Sequence, residues 1–175
     1  MTNDSAGLKG SIPIESIPWD SSWPELSRSD ERRYLLDYLH HRFGILPRVF
    51  DGYFLFRRKK AWFLLQNSPQ LVHASQLKIS KAGLRAFQKV GHFIKPTTRL
   101  IQSFGRHATK GTCQVDEKQF KALLRGEEIP VDFQLAKGYV MLTLGTNRIL
   151  GLGFFHNHAI RSQLPQKELT SHVMI

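Results

Sequence analysis

One segment near the amino terminus carries apolar residues at the spacing of an α-helix, namely Leu35, Tyr38, Leu39 and Phe43. Residues of this spacing share one helical face, which favours burial against a core. A hydroxyl at Ser27 or Ser29 suits the amino-terminal cap, and Gly44 suits the end of the helix. The pattern therefore predicts a helix from about residue 28 to residue 43.

Two short runs rich in aromatic residues follow, at 53–56 and 61–65. Such runs, bounded by polar residues, predict an antiparallel strand hairpin. Four cations separate the runs and are predicted to form the tip of the hairpin: Arg57, Arg58, Lys59 and Lys60. A further extended segment is predicted at 84–90, ending at Gly91.

Two shorter helices are predicted after that segment. Pro96 suits the first position of a helix, because the backbone N–H that it lacks has no partner there. The buried stripe of this helix is predicted to consist of Leu100, Ile101 and Phe104. Asp116 and Gln119 have the spacing of a capping box and predict another helix that ends near Gly126.

The last third of the chain has the pattern of β structure. Runs at 139–144 and 149–155 flank a turn at 145–147, and Gly151 and Gly153 interrupt the second run. Glycine inside a strand is typical of a bulge or a tight barrel corner. Short strands interspersed with short helices predict the α+β class with a small mixed β-barrel.

The charge pattern adds an expectation about partners. The 64 residues from 52 to 115 contain twelve Lys and Arg but no Asp or Glu, within a chain of net charge +11. Residues 1–27 carry a net −3, so the remainder carries +14. Because a field of one sign repels itself, it favours an anionic partner, and nucleic acid fits best. Solubility alone, an anionic membrane and an acidic protein remain alternatives.

Catalytic and metal-binding motifs are not found in the sequence. Cys113 is the single cysteine, which excludes an internal disulfide and fits a reducing compartment. His156 and His158 are close together, but no nearby segment supplies further ligands for a metal. Glycine-rich nucleotide loops and a nucleophile elbow are also missing. We therefore expect no enzyme activity, no catalytic residue, no metal and no cofactor.

Membrane and export signals are missing as well. The first residues show no basic segment followed by an apolar one, and no later run approaches about 18 apolar residues. We expect a soluble cytoplasmic protein without a membrane partner.

Four segments resemble a known family when taken in order: VGHFIKPTTRLIQSFG, TCQVDEKQFKALLRGEEIP, KGYVMLTLGTNRILGLGFF and LPQKEL. They are similar to the PUA-like carboxy-terminal domain of RsmF-type members of the Sun family of RNA 5-methylcytosine methyltransferases. The match spans residues 83–169. The earlier segments RRYLLDYLHHRFGI and DGYFLFRRKKAWFLL resemble the small α/β module that precedes PUA domains in that family and in a ribosome-biogenesis factor family.

Residues 1–27 are rich in Ser, Pro and Gly and predict an irregular lead-in. The resemblance implies a small α/β amino-terminal module at 28–80 and a PUA-like mixed β-barrel with short helices at 81–170, followed by a tail at 171–175. It also implies binding of structured rRNA or tRNA, in ribosome biogenesis or RNA modification. The methyltransferase chemistry is not implied, because the chain has no S-adenosylmethionine loop and no paired catalytic cysteines.

The predicted RNA contacts are cations of the second half of the chain. We expect Lys89, Lys95, Arg99, Arg106, Lys110 and Arg148 to bind phosphate, with Arg161 and Lys167 in second place. The helical cations are expected to contribute more than the hairpin tip, since a rigid element needs less ordering. Phe154 and Phe155 have the chemistry to stack on bases, although aromatic residues in strands usually belong to a core.

A second function remains open at this point. The chain would then be an accessory protein that docks on a separate RNA-modifying enzyme or a ribosomal protein. Trp19, Trp23 and the hairpin would form that interface. RNA binding weakens steeply with salt, whereas an aromatic protein interface responds far less.

Overall fold

The computed structural model describes residues 13–79, 81–132, 135–145 and 148–164. Their strands form two five-stranded sheets, one of which curls into a half-barrel. The first sheet has the order β1-β2-β3-β4-β5 and is antiparallel: β1 (Glu25–Leu26), β2 (Tyr53–Arg58), β3 (Ala61–Gln66), β4 (Leu84–Val90) and β5 (Phe93–Pro96). The predicted α+β class with a barrel-like part is confirmed.

The second sheet has the order β6-β8-β9-β10-β7 and contains β6 (Thr112–Val115), β7 (Ile129–Pro130), β8 (Gly138–Leu144), β9 (Arg148–His156) and β10 (Ala159–Ser162). Strand β6 runs parallel to β8, and the other pairs are antiparallel. The α-helices are α1 (Ser29–Phe43), α2 (Leu71–Ala74), α3 (Thr98–Phe104) and α4 (Glu117–Leu124), with 3₁₀ turns at Ile14–Ser16, Pro47–Phe50 and Gly105–His107.

Helix α1 agrees with its prediction in extent but not in its cap. The cap residue is Arg28, and no side chain caps the helix, so the predicted hydroxyl cap at Ser27 or Ser29 is wrong. The helix begins at Ser29 with Asp30 and Glu31 in its first turn, where carboxylates stabilise the helix dipole. Gly44 ends it with φ +71°, and its N–H donates to the carbonyl of His40. A residue with a Cβ is strained in this left-handed conformation, so glycine is the natural stop.

The predicted hairpin is present, but its tip is smaller than expected. Arg57 and Arg58 belong to β2 and pair with Trp62 and Ala61 of β3. Only Lys59 and Lys60 remain in the turn.

The start of α3 differs from the prediction. Pro96 is the last residue of β5 and pairs with Phe87. The cap is Thr97, whose hydroxyl accepts a hydrogen bond from the backbone N–H of Leu100 at 3.1 Å. Proline is tolerated here because β5 lies at the edge of its sheet and needs no further donor. Leu100, Ile101 and Phe104 are buried as predicted.

The second sheet bears out two local predictions. Asp116 and Gln119 form the capping box at the start of α4, with bonds of 2.7 and 3.0 Å. The register of β8 and β9 shifts between Leu142 and Thr143, and Leu142 pairs with Gly151. The irregularity predicted from the glycines is therefore a bulge.

One core connects both sheets. It includes Leu39 and Phe43 of α1, Phe87 of β4, and Met141 and Leu152 of the second sheet. A second core lies between the other face of the second sheet and α4. Strands β4 and β5 belong to the first sheet, although they lie in the segment 81–170 that was predicted as the second domain. The division into domains at residue 80 stays a prediction.

The two tryptophans of the lead-in pack on the first sheet. Trp19 lies 5.1 Å from the ring of Phe56, and Trp23 lies 5.9 Å from it, measured between ring centroids. The indole N–H of Trp23 donates to the carbonyl of Leu77 at 3.0 Å. The lead-in thus covers the face of the sheet that α1 does not cover.

Arg42 connects the last turn of α1 to the second sheet. Its Nε donates to the carbonyl of Tyr139 in β8, and its Nη1 donates to the carbonyl of Ala136 at 2.8 Å. The backbone N–H groups of Thr109 and Lys110 both donate to the carbonyl of Phe43. Side-chain bonds from Arg42 and backbone bonds to Phe43 therefore fix the end of α1 against the second sheet.

Replacing Arg42 is expected to destabilise the fold. Arg42→Met keeps most of the apolar stem but removes both hydrogen bonds to carbonyls. Because the guanidinium is partly exposed, the two bonds together should contribute about 2 kcal/mol. We expect the free energy of unfolding, measured by urea denaturation, to fall by about that amount. Arg33→Met removes the same charge from an exposed position of α1 and should leave it nearly unchanged. Equal losses would contradict the role of Arg42.

Alkaline pH is expected to destabilise the fold through Tyr38. Burial raises the pKa of Tyr38 to about 12, although nearby Arg42 acts in the opposite direction. Between about pH 10 and pH 12 the unfolded chain loses this proton while the folded chain keeps it. The free energy of unfolding should therefore fall with rising pH, by at most about 1.4 kcal/mol per pH unit from this group.

The measurement compares how the free energy of unfolding depends on pH in two variants of α1. Tyr38→Phe should flatten the alkaline decline, whereas Tyr34→Phe should not, because Tyr34 is 63% exposed. Parallel pH profiles for both variants would show that Tyr38 ionises freely in the folded state.

Candidate nucleic-acid interface

A basic groove of about 540 Å³ lies beside the β2–β3 hairpin. Ala61 and Phe63 contribute its apolar lining. Its cationic lining consists of Arg58, Lys59, Lys60, Lys81 and Arg85. None of the described residues that line it is acidic. Positive charges gathered in this way repel one another, and a bound anion would relieve that repulsion.

Strand pairing assembles the groove from distant parts of the chain. Phe63 of β3 pairs with Arg85 of β4, and Arg58 of β2 pairs with Ala61 of β3. Residues directly opposite each other lie on the same face of a sheet. The register of three strands therefore places the cations around one apolar patch.

The turn of the hairpin has a conformation that is unusual for lysine. Lys59 has φ +53°, in the left-handed region that favours glycine or asparagine. Two-residue hairpin turns select Asn or Gly for the same reason. A lysine therefore occupies a turn position at which the backbone of Asn or Gly would be less strained.

Arg85, which lines the groove, contacts the amino-terminal cap of α3 through its backbone. The carbonyl of Arg85 accepts a hydrogen bond from the hydroxyl of Thr97, the cap of α3, at 2.6 Å. Arg99 of α3 and Arg106 of the following 3₁₀ turn are exposed, while Leu100 and Ile101 anchor the buried side of the helix. The backbone of Arg85 thus links the strand that carries part of the groove to the helix that carries Arg99.

Arg57 has a different environment. Its guanidinium pairs with Glu31 of α1 at 3.2 Å and lies 5.8 Å from the ring centroid of Trp62. An arginine held by a carboxylate and an aromatic ring is less suited to capture phosphate. Arg57 therefore stabilises the packing of α1 on the first sheet.

Lys95 is partly withdrawn from solvent. Its ammonium donates to Oε1 of Gln163 at 2.9 Å and lies 5.5 Å from the ring centroid of Tyr139. Desolvation lowers the pKa of this ammonium. Lys95 of the first sheet thus contacts two residues of the carboxy-terminal half.

The other predicted RNA contacts are dispersed over several elements. Lys89 is exposed on β4, and its N–H donates to the carbonyl of Lys60 at 2.7 Å, which places it next to the hairpin. Lys110 is exposed beside the end of α1, and Arg148 is exposed at the start of β9. Arg161 is exposed on β10 opposite Phe154. Lys167 lies outside the described residues.

Histidine and cysteine form no cluster suited to a metal in the part of the chain that the structure describes. Asn157 and His158 form the two-residue turn between β9 and β10, both with positive φ. This explains the closely spaced histidines as part of a hairpin. Cys113 is buried, and desolvation raises the pKa of its thiol, which disfavours the reactive thiolate.

Sequence reasoning did not select the cations that line the groove. Lys59 and Lys60 were assigned to the hairpin tip, and Lys81 and Arg85 are not among the predicted RNA contacts. The available signal was the alternation of β4, which exposes Arg85 on the face opposite its neighbour Ala86. The position of Lys81 had no comparable signal.

Fold and surface together define an α+β protein with two sheets, a basic groove on the first sheet and exposed cations on α3 and in the turn after it. No protein-family model matches the chain, and no curated protein matches its sequence. Among the residues described, no helix has the length and apolar character needed to cross a membrane.

Proposed function

We propose that the protein binds structured RNA, rRNA or tRNA, through the basic groove and the exposed face of α3. The observation that carries this proposal is the groove with five cations and an apolar floor. Lysine and arginine without interspersed acids are the electrostatic footprint of phosphate binding. The proposal keeps the PUA-like arrangement for the carboxy-terminal part and a role without catalysis in RNA modification or ribosome biogenesis.

The geometry also changes the expected balance between the two groups of cations. The sequence favoured the helix because a mobile tip loses more entropy on binding. In the folded chain, Arg58 and Arg85 belong to paired strands, so much of that ordering occurs during folding. We therefore propose that the groove and α3 act together on one RNA backbone.

The alternative of an aromatic protein interface has less support. Trp23 is only 8% exposed, and Trp19 packs on Trp23 and Phe56. These side chains serve the packing of the lead-in on the first sheet. They offer little surface to a separate enzyme or ribosomal protein.

The test removes two groove cations and measures binding to a folded tRNA and to an rRNA hairpin across a salt series. Lys60→Gln with Lys81→Gln should weaken binding and reduce the slope of log K against log[salt] by about two, since each lost phosphate contact reduces it by about one. The unmodified protein should show the steep slope of roughly four to eight neutralised phosphates. Arg99→Gln with Arg106→Gln should give a loss of similar size.

The matched control is a pair of lysines on α4. Lys118→Gln with Lys121→Gln lowers the net charge equally, and both side chains are exposed on the helix that packs against the second core. This pair should change the affinity little at matched salt. A salt-independent affinity, or equal losses from the groove and control pairs, would overturn the proposal.

Lys59 provides a test in which stability and binding change in opposite directions. Lys59→Asn relieves strain at φ +53° and should raise the free energy of unfolding by up to about 1 kcal/mol. The same change removes one charge from the groove and should reduce RNA affinity and lower the salt slope by about one. Urea denaturation and fluorescence anisotropy measure the two effects. A variant that is more stable and binds as well would exclude Lys59 from the interface.

A further inference from the structure

Three neighbouring strands of the second sheet place two aromatic rings and a cation in one row. Tyr139 of β8 pairs with Phe154 of β9, which in turn pairs with Arg161 of β10. The rings of Tyr139 and Phe154 lie 5.3 Å apart between centroids, at an angle of 74°. All three side chains therefore share one face of the sheet.

Phe154 differs from its neighbour Phe155 in its surroundings. Phe155 is buried in the second core, whereas Phe154 is half-buried on the opposite face. There it lines a hollow of about 310 Å³ together with Lys137, His156, Asn157 and Arg161. The ring is thus held by its strand and by Tyr139 but remains accessible from the hollow.

The polar groups around the hollow suit a nucleotide. Lys137 and Arg161 are exposed cations at its border, and each can bind a phosphate. Glu128 and Asn157 also line it and supply hydrogen-bond acceptors and donors for the edge of a base. An aromatic ring among phosphate-binding cations is the arrangement by which proteins hold unpaired bases.

Lys95 also contacts the ring of Tyr139. Its ammonium lies 5.5 Å from the centroid of that ring and is held by Gln163. A cation near the ring face fixes Tyr139 in place and adds positive potential close to the hollow. The rings are therefore positioned before any ligand arrives.

We propose that this hollow is a subsite for one unpaired nucleotide of an RNA strand, whose base stacks on Phe154 and whose flanking phosphates contact Arg161 and Lys137. This inference rests on the proposed function and adds to it the recognition of a single-stranded residue. Single-stranded segments are where proteins reach the faces of RNA bases. The groove then binds backbone, and the hollow binds a base.

The experiment compares two ten-nucleotide single-stranded RNAs, one of adenosine residues and one with the same backbone but abasic. The full-length protein should bind the adenosine strand roughly tenfold more tightly at matched salt, because one stacked base contributes about that factor. Phe154→Leu, which keeps an apolar side chain, should abolish most of this preference. Phe154→Tyr should retain it.

Two controls separate stacking from general effects. Tyr34→Leu removes an exposed aromatic residue from α1 and should leave the preference unchanged. Arg161→Gln should weaken binding of both strands by a similar factor, because it removes a phosphate contact. Thermal melting of each variant establishes that it folds, and Phe154→Met serves as a second replacement by an apolar, non-aromatic side chain if Phe154→Leu unfolds.

The outcomes distinguish this inference from the proposed function. If both strands bind equally and with a steep salt slope, RNA binding stands and the stacking subsite is overturned. If neither strand nor any folded RNA binds, both proposals fail. Free adenosine monophosphate should compete weakly, and competition at micromolar concentration would instead assign the hollow to a free nucleotide.

Discussion

The attachment of α1 to the second sheet is the constraint on which the arrangement of the molecule depends. Arg42 donates to the carbonyls of Tyr139 and Ala136, and the carbonyl of Phe43 accepts from Thr109 and Lys110. These bonds link elements that lie far apart in the sequence. Because α1 also packs on the first sheet, they fix one sheet relative to the other. Only with that placement can Lys95 of β5 reach Tyr139 of β8.

The distribution of charge follows from the same architecture. Much of the acid-free segment forms strands β2 to β5 and helix α3, and its cations include Arg58 and Arg85 on the first sheet and Arg99 on α3. Glu31 of α1 pairs with Arg57, and none of the described residues that line the groove is acidic. Such a distribution of charge suits binding of an extended polyanion.

Local patterns predicted those elements whose ends are set by short-range chemistry. Asp116 and Gln119 satisfy each other's backbone groups within four residues, so the capping box was visible in the sequence. The end of α1 at Gly44 was equally predictable, because the left-handed backbone conformation that ends a helix favours a single residue type, glycine. Pro96 was assigned wrongly, since an edge strand and a helix start both accept a residue without an N–H. The choice between them depends on the pairing of Pro96 with Phe87.

The sequence by itself determined the α+β class, the buried stripes of α1 and α3, and the one-signed charge of residues 52–115, because periodicity and composition are local properties of a chain. Tertiary structure alone decided which cations meet. Arg85 joins Lys59 and Phe63 only through the register of β2, β3 and β4, and Phe154 faces a hollow rather than the core only because of the pleat of β9. Strand register depends on contacts between distant segments, so no local pattern contains it.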